Sequence, residues 1–269
     1  QPRSRGLGDV YKRQQIYIIE VNPRASRTVP FVAKATDSAI ASIAARVMAG
    51  EKLNSFKKRE SYGSVSYGET IPLADPMSLA SPMLPWFSVK EAVMPFARFP
   101  GVDTILGPEM RSTGEVMGWD RDFGRAFLKA QIGAGMKLPR KGCVFFSIKD
   151  KDKNDNLAET AQRLIKLGFN IIATRGTSTF LKEKNIPCKQ VNKVYEGRPN
   201  IVDTMKNGEI DLVMNTTEGL QAVKDSREIR SVALYDKIPY FTTAAAAHAA
   251  ALAIQSQNEG DIEVKSLQN

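Results

Sequence analysis

A chain of 269 residues is long enough for two domains, each with its own hydrophobic core. Its 42% hydrophobic and 25% charged residues are typical of a globular protein, and no apolar stretch approaches the roughly 20 residues that span a bilayer. We therefore expect a cytoplasmic protein.

The net charge indicates which ligands to expect. Residues 1–14 hold three more basic than acidic side chains, so the charge of +9 falls to +6 without them. Because this surplus forms no basic block, it favours small anionic ligands over nucleic acid. The calculated pI of 9.5 keeps a nucleic-acid-binding protein as an alternative.

Residues 1–14 show no periodicity and join abruptly to the sequence that follows. The stretch from Asp9 to Gln14 (Asp-Val-Tyr-Lys-Arg-Gln) resembles the translation of a transposon-end adapter used in preparing sequencing libraries. We expect this stretch to be foreign to the natural protein and leave it out of the fold prediction. The chain would then be a fragment.

The first predicted strand, from Gln15 to Val21, ends in side chains that suit a metal and phosphate. Glu20 and Asn22 lie two residues apart and so share one strand face. A carboxylate and an amide oxygen suit a hard cation such as Mg²⁺, and Arg24 and Arg27 could clamp its phosphates. A solvated strand end explains the same residues equally well.

Further elements are predicted before the middle of the chain. They are a helix over 33–48, a loop or insertion over 51–84, a strand over 87–96, a polar surface segment over 107–118 and a helix over 120–132. Residues 137–141 are the predicted linker and domain boundary.

From Gly142 onward, short apolar runs alternate with helical stripes. This alternation predicts an α/β fold with a doubly wound parallel sheet, covered by helices on both faces. The predicted strands are residues 143–147, 170–173, 189–191, 211–215 and 238–242. The sequence Asp225-Ser226-Arg227-Glu228 resembles a capping box.

Polar side chains follow the predicted strands, and ligands of parallel sheets bind at the carboxyl ends of the strands. Gly176 lets the backbone approach a ligand, and hydroxyls and amides at a helix start can hold phosphate, although a plain helix cap is the alternative. The residues expected at this edge are Ser147, Lys149–Lys153, Thr174, Thr177, Asn192, Lys193, Asn215, Thr216, Thr217, Thr242 and Thr243. Because they include no nucleophile–base set, they favour anion recognition over bond breaking.

The residues most often used in catalysis are few. His248, the only histidine, lies in an alanine-rich stretch and is expected to pack or face solvent. Cys143 and Cys188 each flank a predicted strand, which favours reduced, buried thiols over a disulfide or a metal site.

The stretch from Glu20 to Phe31 (Glu-Val-Asn-Pro-Arg-Ala-Ser-Arg-Thr-Val-Pro-Phe) resembles the end of the second ATP-grasp domain of carbamoyl phosphate synthetase large subunits. The resemblance implies that Glu20 and Asn22 bind Mg²⁺ (or Mn²⁺) at an ATP site. It implies that Arg24 and Arg27 are catalytic residues beside the phosphates and the bound carbamate.

Residues 173–177, 191–199 and 210–217 resemble the methylglyoxal-synthase-like regulatory domain of the same family. The resemblance implies that UMP or IMP binds as an allosteric nucleotide at Lys153, Thr174, Thr177, Lys193, Asn215 and Thr217. It also implies an ornithine site at Glu91, Tyr240 and Thr242. Phe241 stands where the family can have an aspartate, and Ala244 to Ala247 replace a glycine-containing turn, which argues against ornithine control.

These resemblances predict the C-terminal part of the large subunit of a glutamine-hydrolysing carbamoyl phosphate synthetase, an ATP-dependent ligase of arginine and pyrimidine biosynthesis. The predicted organisation is a partial ATP-grasp α+β domain over 15–136, the linker, a methylglyoxal-synthase-like domain over 142–257 and a polar tail over 258–269. The family makes carbamoyl phosphate from bicarbonate, glutamine-derived ammonia and two ATP, in a hetero-oligomer with a small glutamine amidotransferase subunit.

Most of the second ATP site is absent from this chain, so we expect no turnover by the chain alone. Carbamoyl phosphate synthesis by these 269 residues would contradict that expectation. A free-standing methylglyoxal synthase and a stand-alone nucleotide-binding regulatory module are the alternatives.

Overall fold

The computed structural model describes residues 4–5, 9–12, 15–18, 28–36, 39–56, 86–96, 103–104 and 114–264. Within these ranges, no helix combines the length and the apolar character needed to cross a membrane. The elements before the middle of the chain are β1 (Ser4–Arg5), β2 (Asp9–Lys12), β3 (Gln15–Ile18), α1 (Thr28–Ala35), α2 (Ile40–Met48), β4 (Phe87–Val93), β5 (Gly114–Asp120) and α3 (Phe123–Gly133).

The single helix predicted over residues 33–48 is wrong, because two helices, α1 and α2, occupy this stretch. The backbone amide and the hydroxyl of Thr36 both donate to Val32 O, at 2.9 and 2.8 Å. Threonine hydroxyls compete in this way with regular helical hydrogen bonds, and α1 ends at Ala35.

The polar surface segment predicted over 107–118 contains part of a strand that the prediction missed. Strand β5 pairs antiparallel with β4, from Phe87 opposite Asp120 to Val93 opposite Gly114. Gly118 is the reason that β5 packs closely under α3, since a Cβ there would lie 1.9 Å from Ala126 O. Glycine at such a contact weakens the strand pattern in the sequence.

The remainder of the chain forms the predicted α/β fold. Its five parallel strands run in the order β10-β9-β6-β7-β8. They are β6 (Gly142–Ser147), β7 (Phe169–Thr174), β8 (Lys189–Val191), β9 (Leu212–Asn215) and β10 (Tyr240–Phe241). The helices are α4 (Asp155–Lys166), α5 (Arg175–Glu183), α6 (Ile201–Lys206), α7 (Gly219–Asp225), α8 (Arg227–Tyr235) and α9 (Ala244–Glu259).

Each face of the sheet carries its own apolar cluster, because successive side chains of a strand point to opposite faces. On β6, Val144 and Phe146 join the cluster that includes residues of α4 and α9, whereas Phe145 joins the one that includes residues of α6 and α8. All three of these side chains are fully buried. Both faces are therefore covered, as a doubly wound sheet requires.

The capping box predicted at Asp225-Ser226-Arg227-Glu228 is wrong. Ser226 makes no capping hydrogen bond with its side chain, because its hydroxyl instead donates to Val223 O and accepts from Arg230. A capping box is found at the start of α6, where Asn200 and Asp203 cap each other's backbone amides.

Helix α3 packs on α9 with almost no space between the two backbones. A Cβ on Gly124 would lie 2.3 Å from Ser256 Oγ and 2.7 Å from Leu252 O. The rings of Phe127 and Phe241 are 6.4 Å apart. The helix before residues 137–141 thus shares a core with the sheet that follows them, and a domain boundary at 137–141 stays a prediction.

Candidate anion site at the strand ends

The carboxyl ends of the central strands bring three polar residues into one row. Ser147 pairs with Asn215, and the register of β6 with β7 places Thr174 on the other side of Ser147. Neighbouring strands lie about 4.8 Å apart, so the Cα atoms of Asn215 and Thr174 are about 10 Å apart. The row has the width of a small ligand.

The side chains of this row project from the same face of the sheet. The residue before each of them faces the apolar cluster that contains α9. Met214, for example, precedes Asn215, and Ala173 precedes Thr174. By strand alternation, Asn215, Ser147 and Thr174 therefore point towards the opposite face. Asn215 and Thr174 are only 2% and 4% exposed.

Lys153 adds a cation beside this row. A Cβ at Gly176 would lie 3.1 Å from Lys153 Nζ, so the ammonium group stands over the first turn of α5. The Lys153 side chain is only 15% exposed, and its ammonium group forms a 2.6 Å ion pair with Asp150. The glycine at position 176 makes room for this close approach.

Thr174 precedes α5 as its N-cap but makes no capping hydrogen bond with its side chain. The first amides of a helix have no partner within the helix, and they attract anions. The start of α5 and the ammonium group of Lys153 therefore form a local environment that suits a phosphate group.

Two hydroxyls hold the segment that follows β6 in place. Thr177 Oγ1 accepts a 3.0 Å hydrogen bond from Ile148 N, and Thr216 Oγ1 accepts one of 3.0 Å from Lys149 N. Thr177 is 1% exposed and lies 3.4 Å from the Thr174 hydroxyl. The structure thus gives Thr177, predicted from sequence as a ligand contact, a bond within the protein.

The other two predicted nucleotide-binding residues lie just beyond strand ends. Lys193 is exposed, two residues after β8, and its backbone amide donates to Glu196 at 2.9 Å. Thr217 is half-buried, two residues after β9. Together with Lys153, Thr174, Thr177 and Asn215, they place all six predicted residues at one edge of the sheet.

Asn215 also belongs to a buried polar network that the sequence did not reveal. Its amide donates to Tyr240 OH at 2.6 Å. Burial raises the pKa of Tyr240, while the hydrogen bond from Asn215 and the charge of Arg230 act in the opposite direction. Arg230, 6% exposed, donates two 2.7 Å bonds to the carboxylate of Asp103. The one hint in the sequence was that Arg230 lies between apolar residues of α8, where a charged side chain needs a buried partner.

The predicted ornithine residues come from two parts of the fold, since Glu91 lies on β4 and Tyr240 and Thr242 lie in or directly after β10. Glu91, on β4, accepts a 2.9 Å hydrogen bond from Gln131, and burial raises its pKa. No hydrogen bond or ion pair in the described part of the chain joins it to Tyr240 or Thr242. Phe241, between the latter two, is buried in the apolar cluster of α9.

The predicted metal and catalytic residues Glu20, Asn22, Arg24 and Arg27 lie outside the described residues. Among the residues described, no group of three or more His, Cys, Asp or Glu side chains is arranged to hold a metal.

His248 and the two cysteines occupy packing positions. His248 Nδ1 lies 3.0 Å from Thr160 Oγ1, and the Thr160 hydroxyl also lies 2.8 Å from Asn156 O. Cys143 and Cys188 are free thiols, each half-buried. Burial, with a smaller contribution from the charge of Asp211, raises the pKa of Cys143 to about 11.

Comparison with known families matches both halves of the chain. Residues 9–56 match the carbamoyl-phosphate synthase L chain ATP binding domain, and residues 156–242 match the MGS-like domain. The chain is 50% identical to the carbamoyl phosphate synthase large chain of Rhizobium meliloti, over 94% of this chain and 20% of the relative. The chain belongs to the carbamoyl phosphate synthase large-chain family.

Other members of this family give the same result. The large chain of Brucella suis is 50% identical over 96% of this chain and 21% of the relative, and that of Archaeoglobus fulgidus is 45% identical over 96% and 22%. The chain thus spans about a fifth of the length of the curated relatives it matches. The predicted family and fold class are confirmed.

The MGS-like match includes Thr174, Thr177, Lys193, Asn215 and Thr217 but begins after Lys153. The roles of these residues stay predictions.

Proposed function

We propose that residues 142–257 bind a nucleoside monophosphate, UMP or IMP, as the regulatory domain of a carbamoyl phosphate synthase large chain. The observation that carries the proposal is the largely buried ammonium group of Lys153 over the start of α5, beside the row of Asn215, Ser147 and Thr174. A phosphate there would receive backbone amides from α5 and a point charge from Lys153. Lys193 would add a second positive charge.

We further propose that the chain corresponds to the C-terminal part of a cytoplasmic enzyme that makes carbamoyl phosphate from bicarbonate, glutamine-derived ammonia and two ATP. The match of residues 9–56 to the ATP binding domain supports the use of ATP. A small amidotransferase subunit would be its partner. The same match, in one chain with the MGS-like domain, argues against a free-standing methylglyoxal synthase.

Glu20 and Asn22 would hold Mg²⁺ or Mn²⁺ in this enzyme, and Arg24 and Arg27 would lie beside the phosphates. The metal, when bound, would offset charge on the transferred phosphoryl group.

Isothermal titration calorimetry of the full chain with UMP and IMP tests the nucleotide site. Lys153→Met removes the cation over Gly176, and we expect about tenfold weaker binding, since a hydrogen bond to a charged group is lost. Lys151→Met is the matched control, because Lys151 lies in the same turn but is 74% exposed and pairs with Glu218.

Circular dichroism and the thermal midpoint establish that each variant is folded. The absence of heat with both nucleotides, for a folded wild-type chain, would overturn the proposal. Equal weakening by both lysine variants would contradict the specific role of Lys153.

Glu91, Tyr240 and Thr242 remain the proposed ornithine residues, but the apolar burial of Phe241 between two of them opposes a cationic ligand there. Titration of the same chain with ornithine tests this set directly.

A further inference from the structure

The carboxylate of Asp150 lies beside Lys153, where the negative charge of a bound anion would otherwise lie. Its Oδ1 lies 2.6 Å from Lys153 Nζ, the ammonium group that covers the start of α5. The two side chains differ in exposure, because Lys153 is 15% exposed and Asp150 is 96% exposed. A largely buried cation is therefore neutralised by a carboxylate that is almost entirely in water.

Both lysines proposed to bind phosphate act on this carboxylate. The pKa of Asp150 is lowered first by the hydrogen bond and charge of Lys153 and then by the charge of Lys193. Lys193 follows β8 and Lys153 precedes α4, so the two cations reach Asp150 from different elements. The two positive charges therefore act together on the place where the phosphate group of the proposed ligand would lie.

We propose that Asp150 is an internal counter-anion that an incoming phosphate group must displace, and that it thereby sets the affinity and charge selectivity of the site. This inference rests on the proposed function. A buried ammonium group without a partner would be costly, so Asp150 keeps Lys153 paired while the site is empty.

Displacement of Asp150 requires little rearrangement. The residue lies in the short 3-10 turn Asp150–Asp152, three residues before Lys153, and its side chain needs only to rotate further into solvent. Asp150 is almost entirely in water, so releasing its carboxylate costs little, and the phosphate group takes its place as the partner of Lys153. A nucleoside without a phosphate brings no charge to compensate Lys153 and would leave the internal pair intact.

The neighbouring acids do not share this arrangement. Asp152 lies 3.7 Å from Lys149, and Glu218 pairs with Lys151 at 2.5 Å. Neither acid pairs with Lys153 in the described part of the chain. Asp152→Asn therefore changes the charge of the same turn without removing the proposed competitor.

Calorimetry of the 269-residue wild-type chain, Asp150→Asn and Asp152→Asn with UMP, IMP, uridine and inorganic phosphate tests the inference. We expect Asp150→Asn to bind the phosphate-bearing ligands about two- to fivefold more tightly, the range set by loss of an exposed competing ion pair. Asp152→Asn should match wild type. The affinity for uridine should be the same in Asp150→Asn as in wild type.

The possible results distinguish a failure of the role proposed for Asp150 from a failure of the proposed nucleotide site. If wild type binds and Asp150→Asn binds equally or more weakly, Asp150 contacts the ligand or has no role, and the inference is overturned alone. If neither chain binds while both are folded, the proposed function fails and the inference fails with it.

Discussion

Replacing Asp103 by leucine would leave the buried guanidinium group of Arg230 without its carboxylate. Arg230 donates two hydrogen bonds of 2.7 Å to Asp103. The Arg230 side chain is 7% exposed and the Asp103 side chain is 23% exposed. The hydrogen bond to Asp103 is also the main cause of the raised pKa of Arg230. Without Asp103 this stabilisation of the charge is lost, but Arg230 stays charged, because a guanidinium group keeps its proton in proteins even without a carboxylate partner.

The expected loss is about 3 kcal/mol in the free energy of unfolding, at the lower end of the range for breaking one side of a buried ion pair. The lower end applies because Arg230 keeps its hydrogen bonds to Val223 O, at 2.9 Å, and to Ser226 Oγ, at 2.6 Å. With a slope of about 2 kcal/mol per molar urea, the unfolding midpoint should fall by about 1.5 M.

Urea unfolding followed by circular dichroism measures this loss. The double variant Asp103→Leu/Arg230→Met should regain most of it, because an apolar pair no longer buries an unpaired charge. Asp155→Asn, which removes the exposed partner of Lys184, serves as control and should leave the midpoint unchanged. A negligible shift for Asp103→Leu, or no recovery in the double variant, would refute the reasoning.

Three further predictions concern Cys143 and the packing of α3 on α9. Because the pKa of Cys143 is raised to about 11, iodoacetamide at pH 8 should alkylate it about 100-fold more slowly than a thiol with the ordinary pKa of 9.0, and equal rates by peptide mass spectrometry would contradict its burial. Since the folded-state pKa is the higher one, the stability from this thiol is complete below pH 9 and is lost as the pH rises towards 11; Cys143→Ala should remove that part of the pH dependence. Gly124→Ala would place a Cβ 2.3 Å from Ser256 Oγ and should cost about 1–3 kcal/mol. Gly114→Ala, where no atom lies within 4 Å of the new Cβ, is its control, and equal thermal midpoints for the two variants would argue against the tight α3–α9 contact.

The parallel sheet could be predicted because its central strands, β6, β7 and β9, are largely buried on both faces. Every residue of β9, Leu212–Asn215, is buried, and such a strand reads as an apolar run without alternation. Strand β5 escaped prediction because Gly114 and Gly118 interrupt its pattern, and the reason for Gly118 is its contact with α3. That contact is tertiary and leaves no periodic signal along the chain.

The candidate site could be predicted as an edge of the sheet, since the carboxyl ends of parallel strands meet there. The electrostatic partners could not be predicted. Arg230 and Asp103 are 127 residues apart, and no local pattern joins them. Asp150 lies within a run of alternating lysines and aspartates, and only the burial of Lys153 distinguishes it from Asp152.

A cleft at the other end of the sheet is an alternative location for an anionic ligand. It has a volume of about 480 Å³ and lies at the opposite end of the sheet, before β6, β9 and β10. Lys137, Lys206 and Lys237 are among its lining residues. Its size is within the range of small-molecule sites.

Mapping of backbone amide chemical shifts in the full chain during titration with UMP distinguishes the two ends of the sheet most directly. The largest shifts should fall on Gly176 and Thr177 at the start of α5, on Lys153 and on Asn215. Shifts confined to residues around Lys137, Lys206 and Lys237 would contradict a nucleotide site at the carboxyl ends of the strands.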